Sequence, residues 1–469
     1  MKNRARLRRI SIPQLLLLGL LSCLSARPSA DSTAGWSALP DILGNIKVPR
    51  FPDKEFDITK FGAVGDGVRN CADAFAKAIA SCSEAGGGRV LVPEGIYLTG
   101  PIKLASNVLL YVSKGATVRF SVNPHDYMPL VETRWEGVEC MNFSALIYAF
   151  DAVNVGLAGE GVLDGQGSLW WPWKGMERYG WKAGMPEQSK DRDSLFAMAE
   201  AGVPVKSRIF GEGHYLRPNF VQFNQCRNVL IEGVTFRNSP MWFLHPVRSS
   251  NVTIHRVSVE GLGPNDDGCD PESCNGVLVD SCTFNTGDDC VVLKSGRNAD
   301  GRRVNIPCEN VVVRGCTMKD GHGGVVLGSE VTGGIRNVYV EDCTMDSPHL
   351  ERALRFKTNA ARGGVIENFF ARRIRVGEVT EAVVSIDFTY EEGDRGEYTP
   401  VVRNLCISEV DCQKAKYAFW IKAFPNSPVK GLVVSDCDLR GIREKSIMEH
   451  VEGAVFRSVR VNGTLMKGE

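Results

Sequence analysis

Three stretches of this chain set acids and a histidine in short turns, and a fourth sets two cations on a strand. They read NDDGCDP from Asn265, NTGDDC ending at Cys290, DGHGG around His322 and LRFKTN around Lys357. Asp267, Asp288 and Asp289 supply three carboxylates. Glycoside hydrolysis needs one carboxyl group to protonate the leaving oxygen and another to activate water. Crowding of like charges raises the proton affinity of one member, which keeps a proton for the acid role. Arg355 and Lys357 flank Phe356, and residues two apart on a strand share a face. Two cations on one face can hold a carboxylate, Arg through a bidentate fork and Lys as a point charge. The residue types therefore point to hydrolysis of an acidic sugar.

Such groups need a scaffold that brings them to one wall, and the sequence between them supplies a repeat. NGVLVDSCTF, ENVVVRGCTM and RNVYVEDCTM are near-copies. Related runs begin at Asn154, Asn228, Asn251, Gly276, Asn310, Asn337, Asn368, Asn404, Gly431 and Gly453. Most steps fall in the twenties or thirties, the window of stacked-repeat folds. Within each run apolar residues alternate, which is strand periodicity. Helical pattern is nearly absent after residue 90, which disfavours βαβ folds and leucine-rich horseshoes. Hairpin turn signals between paired strands are not evident, which disfavours a propeller. The expectation is an all-β chain folded as a right-handed parallel β-helix, with turns of variable length projecting from it. Asn at the repeat starts is expected to form a hydrogen-bonded ladder. The run from Cys71 to Ala85 has helical spacing and is expected to cap the open end of the sheet. GAVGDG before it lacks the Lys and the strand–helix context of a phosphate loop.

In order and spacing, Asn265-Asp266-Asp267, Asp288-Asp289, Gly321-His322-Gly323 and Arg355-Phe356-Lys357 resemble the motifs of glycoside hydrolase family 28, the polygalacturonases. The resemblance runs from near Phe56 to the C-terminus. It implies an inverting hydrolase of α-linked galacturonic acid in pectin, acting as a monomer without a metal or other cofactor. Carried over by position, Asp288 is the acid, Asp267 and Asp289 hold and deprotonate water, and His322 positions an Asp. Arg355 and Lys357 hold the substrate carboxylate, and Asn265 belongs to the same site. Asp266 and Phe356 depart from the usual Thr and Ile, and Asp266 adds a fourth carboxylate. His245, Lys294 and Arg297 are second candidates for binding substrate carboxylates. The runs GCDPES, KSGRN and GSEVTGG look like the bacterial exo-acting branch.

The remaining features bound the biology. The chain has 469 residues and a formal net charge of zero, which gives no basic footprint for nucleic acid. Lys2, Arg4, Arg6, Arg8 and Arg9 precede the apolar run Leu15 to Leu21, which is too short to span a bilayer. Residues 1–30 read as an export signal. Cys23 offers a lipid anchor if the lipobox-like LLSC is processed, and cleavage near Ala26 or Ala30 is the other reading. Residues 31–50 read as a linker and residues 51–469 as one catalytic domain. Cys282, Cys316, Cys343 and Cys437 share one place in the repeat and read as a stack of buried thiols, while Cys269 and Cys274 are close enough in sequence to form a bridge. Residues 165–216 interrupt the repeats with Trp170, Trp171, Trp173 and Trp181 and a helical run near 189–202; either they pack as core or they wall a sugar cleft. Three rivals stay open: a calcium-dependent pectate-lyase-type enzyme using the clustered Asp residues, a rhamnogalacturonan hydrolase on the same fold, and a non-catalytic sugar-binding β-helix.

Overall fold

The computed structural model describes residues 34–466. The export signal expected over residues 1–30, with Cys23, lies outside them. The chain winds into a right-handed parallel β-helix, in which each strand pairs in register with its counterpart one coil later. One inward column runs Val229, Val252, Val277, Val311, Val338, Phe369, Leu405 and Leu432. Each of these side chains is buried. One sheet gathers 24 of the described strands, from both ends and along the length of the helix. Among the described residues no helix is long and apolar enough to cross a membrane.

The repeat starts have a physical cause. Asn107, Asn154, Asn228, Asn251, Asn310, Asn337, Asn368 and Asn404 all adopt left-handed backbone, at φ between 54° and 61°, and Gly276, Gly431 and Gly453 take the same conformation where Asn is missing. Gly enters that region freely, and Asn at less cost than other residues. The Asn amides then bond coil to coil, for instance Asn228 to Asn154 at 2.8 Å and Asn337 to Asn310 at 3.0 Å. Where Gly276 breaks the ladder, Lys47 steps in: Asn251 Oδ1 accepts from the Lys47 backbone N–H at 2.6 Å.

The thiol column forms as the spacing suggested. All 14 described cysteines are free and buried, so the Cys269–Cys274 bridge is not made. The Cys274 thiol instead donates to the Pro246 carbonyl at 3.2 Å. In the column Cys282, Cys316 and Cys343 lie on neighbouring coils, while Ile374 and Val410 separate them from Cys437. Here Cys serves as a small apolar side chain.

Helix α1 (Leu39–Asn45) corrects the linker reading of residues 31–50. The pattern in the repeats explains it: Leu278, Val312, Tyr339 and Phe370 point outward on adjacent coils and would be wet. Trp36 and Leu39 cover them. Trp36 packs edge-on to Tyr339 at 5.5 Å, with Arg372 stacked on its other face at 3.8 Å. Helix α2 (Ala72–Glu84) buries Phe75, Ala78, Ile79 and Cys82 over the first coils, as the helical spacing indicated. The insertion carries α3 (Ser189–Glu200), and a short α4 (Asn298–Val304) follows the KSGRN run.

The site lies on a narrower parallel sheet. Its strands Ile147–Phe150, Val221–Asn224 and Leu244–Val247 continue through bridges at Cys269 and Glu272 into Val291–Leu293, Val325–Leu327, Arg352–Lys357 and Ala382–Asp387. On Arg352–Lys357, Leu354 and Phe356 point inward and are buried, and Phe356 meets Phe369 edge-on at 4.9 Å. The alternation sends Arg355 and Lys357 outward. The larger Phe at position 356 is therefore a core-filling difference and has no place in the site.

Candidate active site

Two successive coils present the acids, and a third presents the histidine. Gly268 N–H donates to the Asp289 carbonyl at 2.9 Å, and Cys290 N–H to the Gly323 carbonyl at 2.8 Å. Asp267, Asp288–Asp289 and His322 are thereby set one coil apart. The next coil brings Arg355 and Lys357. Gly323 permits this closeness: a β-carbon there would stand 2.5 Å from Val326 and 3.2 Å from Asp289 Oδ1. Gly321 adopts φ 149°, and a β-carbon would meet the Asp288 carbonyl at 2.6 Å. The paired glycines around His322 are thus steric requirements of the turn.

One carboxylate oxygen from each of Asp267, Asp288 and Asp289 lies within 4.8 Å of the others.

The three acids differ in their surroundings. Asp289 is fully buried; its Oδ2 accepts from Lys357 Nζ at 2.6 Å and its Oδ1 from Arg355 at 3.3 Å. Asp288 is 19% exposed, the most open of the three, and its Oδ1 meets His322 Nδ1 at 2.9 Å. Burial opposes charge on Asp288, but the His322 bond and charge, with Lys357 and Arg355, outweigh it and hold the carboxyl below the usual range. The bond to Asp288 raises His322 to about 9 against the effect of burial. Asp267 is the reverse. Burial, then the charges of Asp288 and Asp270, push its proton affinity well up, and its Oδ1 has no hydrogen-bond partner. Asp270 is buried beside it and is also pushed up by burial. Burial thus favours the protonated form at Asp267 and Asp270, while the cations around Asp288 favour its charged form.

The other sequence candidates fall into place less directly. Asn265 has left-handed backbone at φ 56°, which suits Asn, and its Oδ1 accepts from Lys174 Nζ and Arg217 Nη2, both at 2.8 Å. Asp266, the fourth carboxylate, turns away and closes its own loop by accepting from Gly263 N–H at 2.9 Å. Lys294 is nearly buried, 3.8 Å from Asp267, 3.7 Å from Asp270 and 3.1 Å from Glu330, with its ammonium 4.3 Å from the Trp242 ring. Arg297 pairs with Glu330, Glu391 and Glu392. His245 is corrected. It is fully buried, with Nε2 2.9 Å from Glu272 and Nδ1 bonded by Asn219 and Gln222. Burial lowers its proton affinity despite Glu272. A neutral imidazole with both nitrogens engaged has no donor left for a substrate carboxylate.

Three segments rise around the cluster. The 165–216 insertion divides its tryptophans: Trp170 is core, packed on Tyr127 and Trp173, while Trp171 lies against Gly263 and donates to the Ser239 carbonyl at 2.8 Å. Its Lys174 reaches Asn265. A hairpin of Val131–Trp135 and Val138–Asn142 sets Gly137 against Arg297 and Glu330. After Ala382–Asp387, Tyr390 places its ring 5.7 Å from the Arg355 guanidinium and 5.2 Å from Lys357 Nζ. Sequence reading missed Lys174, Arg217, Glu330, Tyr390, Glu391 and Glu392. Glu330 was within reach, because it lies in GSEVTGG, and that run pairs with the Lys and Arg of KSGRN.

Clustered acids beside a histidine, matched cations and aromatic walls describe a carbohydrate hydrolase. The family model Glycosyl hydrolases family 28 matches residues 210–456. An exopolygalacturonase of Thermotoga maritima, described as hyperthermoactive, has a similar structure, with a TM-score of 0.89 and 45% identity over 92% of this chain and 97% of that one. An exo-poly-alpha-D-galacturonosidase of Dickeya chrysanthemi is 28% identical over 367 residues, covering 74% of this chain and 59% of the relative. An endo-polygalacturonase of Pectobacterium carotovorum subsp. carotovorum is 24% identical over 348 residues, or 72% and 76%. The chain belongs to glycosyl hydrolases family 28 and is a glycoside hydrolase.

Proposed function

We propose that this enzyme hydrolyses α-linked galacturonic acid in pectin, working from the chain end and releasing single galacturonate units. The observation that carries the reading is the matched set of Asp267, Asp288, Asp289 and His322 against Arg355 and Lys357. Likeness to the Thermotoga maritima exopolygalacturonase over nearly the whole chain supports the exo mode. So do the three raised segments, which narrow what would otherwise be an open groove.

In this reading Asp288, the most exposed acid, meets the glycosidic oxygen. Its charge in the free enzyme is balanced by His322. A bound sugar strips water from Asp288 and raises its proton affinity, so the proton of the His322–Asp288 hydrogen bond shifts to the carboxyl and on to the leaving oxygen. Asp267 presents its unpartnered oxygen to the attacking water. It acts as base in its ionised form, which the Lys294 ammonium 3.8 Å away favours against burial. Asp289 stays fixed between Lys357 and Arg355. Those cations retain donors beyond the ones Asp289 uses, and with these they hold the substrate carboxylate. Inversion is carried over from the family resemblance. Proton NMR of the first product decides it: a β-anomer from the α-linkage shows inversion, and an α-anomer shows retention.

A calcium-dependent lyase fits the charges poorly. His322, Lys294, Arg355 and Lys357 already surround the three acids, leaving little net negative charge for a divalent cation. Full activity in a chelator, with saturated products, separates the two readings. Export, through residues 1–30, is part of the proposal, and fractionation of the expressing cells tests it.

A further inference from the structure

We propose that Glu391 is an internal stand-in for a substrate carboxylate: it occupies a second uronate-binding locus, built by Arg297 and Arg362, which it yields to the galacturonate chain. The inference rests on the reading above and extends it to a residue outside the motifs. Arg362 is fully buried, and Arg297 is 10% exposed at the side chain. Glu391 Oε2 bridges them, 2.6 Å from Arg362 Nη2 and 3.4 Å from Arg297 Nη2. Two guanidiniums converging on one carboxylate oxygen form the kind of locus that recognises a carboxylate ligand.

The locus joins the catalytic cluster. Glu330 ties Arg297 to Lys294, and Lys294 reaches Asp267. On the other side Tyr390, the neighbour of Glu391, stands over Arg355 and Lys357. Two cation pairs, Arg355 with Lys357 and Arg297 with Arg362, are thus tied by direct side-chain contacts to the one acid cluster.

Three observations mark Glu391 as the movable partner. Its side chain is 42% exposed although both arginines are buried. Its backbone holds φ 50°, a left-handed conformation that Glu disfavours and that its bonds must maintain. Glu392 bonds the same two arginines at 3.1 and 3.2 Å and is anchored by Asn359 at 2.7 Å. The arginines therefore stay neutralised when Glu391 leaves.

The test compares wild type with Glu391→Gln and Glu391→Ala on tetragalacturonate, and measures inhibition by galacturonate and by galactose. Removing the stand-in should lower KM at least threefold, with a smaller change in kcat. It should strengthen galacturonate inhibition by a similar factor and leave galactose inhibition unchanged. An unchanged or raised KM in both variants overturns the proposal, as does an equal effect on galactose. If wild type fails to cleave tetragalacturonate at all, the functional reading itself fails, and the two failures are thus distinct.

Discussion

Replacing His322 by Ala removes the cation that holds Asp288 ionised, and its consequence can be worked from the geometry. In the folded chain His322 binds its proton up to about 9, against ~6.5 for a free imidazole. A folded-state value above the unfolded one stabilises the fold fully below ~6.5, and that stability is lost as pH rises through the folded value. Fully dry, such a difference would correspond to ~3 kcal/mol. The imidazole is 42% exposed, and solvent screening reduces this to about 1–2 kcal/mol. Thermal unfolding between pH 6 and about 10 should therefore show a wild-type decline on the order of 1–3 °C that His322→Ala lacks. The variant should also lose roughly 10²–10⁴ in kcat, since the proton shared with Asp288 is gone. Parallel pH profiles of unfolding for the two proteins would refute the ion-pair reasoning. Near-normal kcat in the variant would refute the proton route through His322.

Asp288→Asn should lower kcat by several orders of magnitude with little change in oligogalacturonate affinity, measured by turnover and calorimetry; near-normal turnover would remove Asp288 from the acid role. Lys357→Ala leaves the buried Asp289 carboxylate with Arg355 alone, so unfolding should be destabilised by about 2–4 kcal/mol. The same variant should raise KM for oligogalacturonates more than for their methyl esters, and equal rises would make Lys357 purely structural. Phe356→Ala empties a core position against Phe369 and should cost ~3–5 kcal/mol by denaturant unfolding; a cost under 1 kcal/mol would contradict the inward orientation of that side chain.

Much of the fold was legible because the repeat leaves local marks. Alternating Val, Ile and Leu fix the strands, and Asn or Gly marks each left-handed turn. The cluster itself was legible because its members come from four short motifs one coil apart. What escaped is long-range. The helical arm of residues 34–45 looks like a linker in sequence, and only the outward Val312, Tyr339 and Phe370 of distant repeats give it a surface to cover. Glu330, Glu391 and Glu392 reach the site through turns whose path no periodicity encodes. His245 misled because a lone histidine in FLHPV carries no sign of burial; its partners Asn219, Gln222 and Glu272 come from neighbouring coils.

The central claim, hydrolysis from the chain end by the Asp cluster, is tested most directly by following polygalacturonate digestion in the presence of a chelator, with chromatography and viscometry on the same samples. Saturated galacturonate monomer should be the first and dominant product while viscosity falls slowly. Early mixed oligomers with a rapid viscosity drop would contradict the chain-end mode, and unsaturated products or dependence on the chelated metal would contradict hydrolysis.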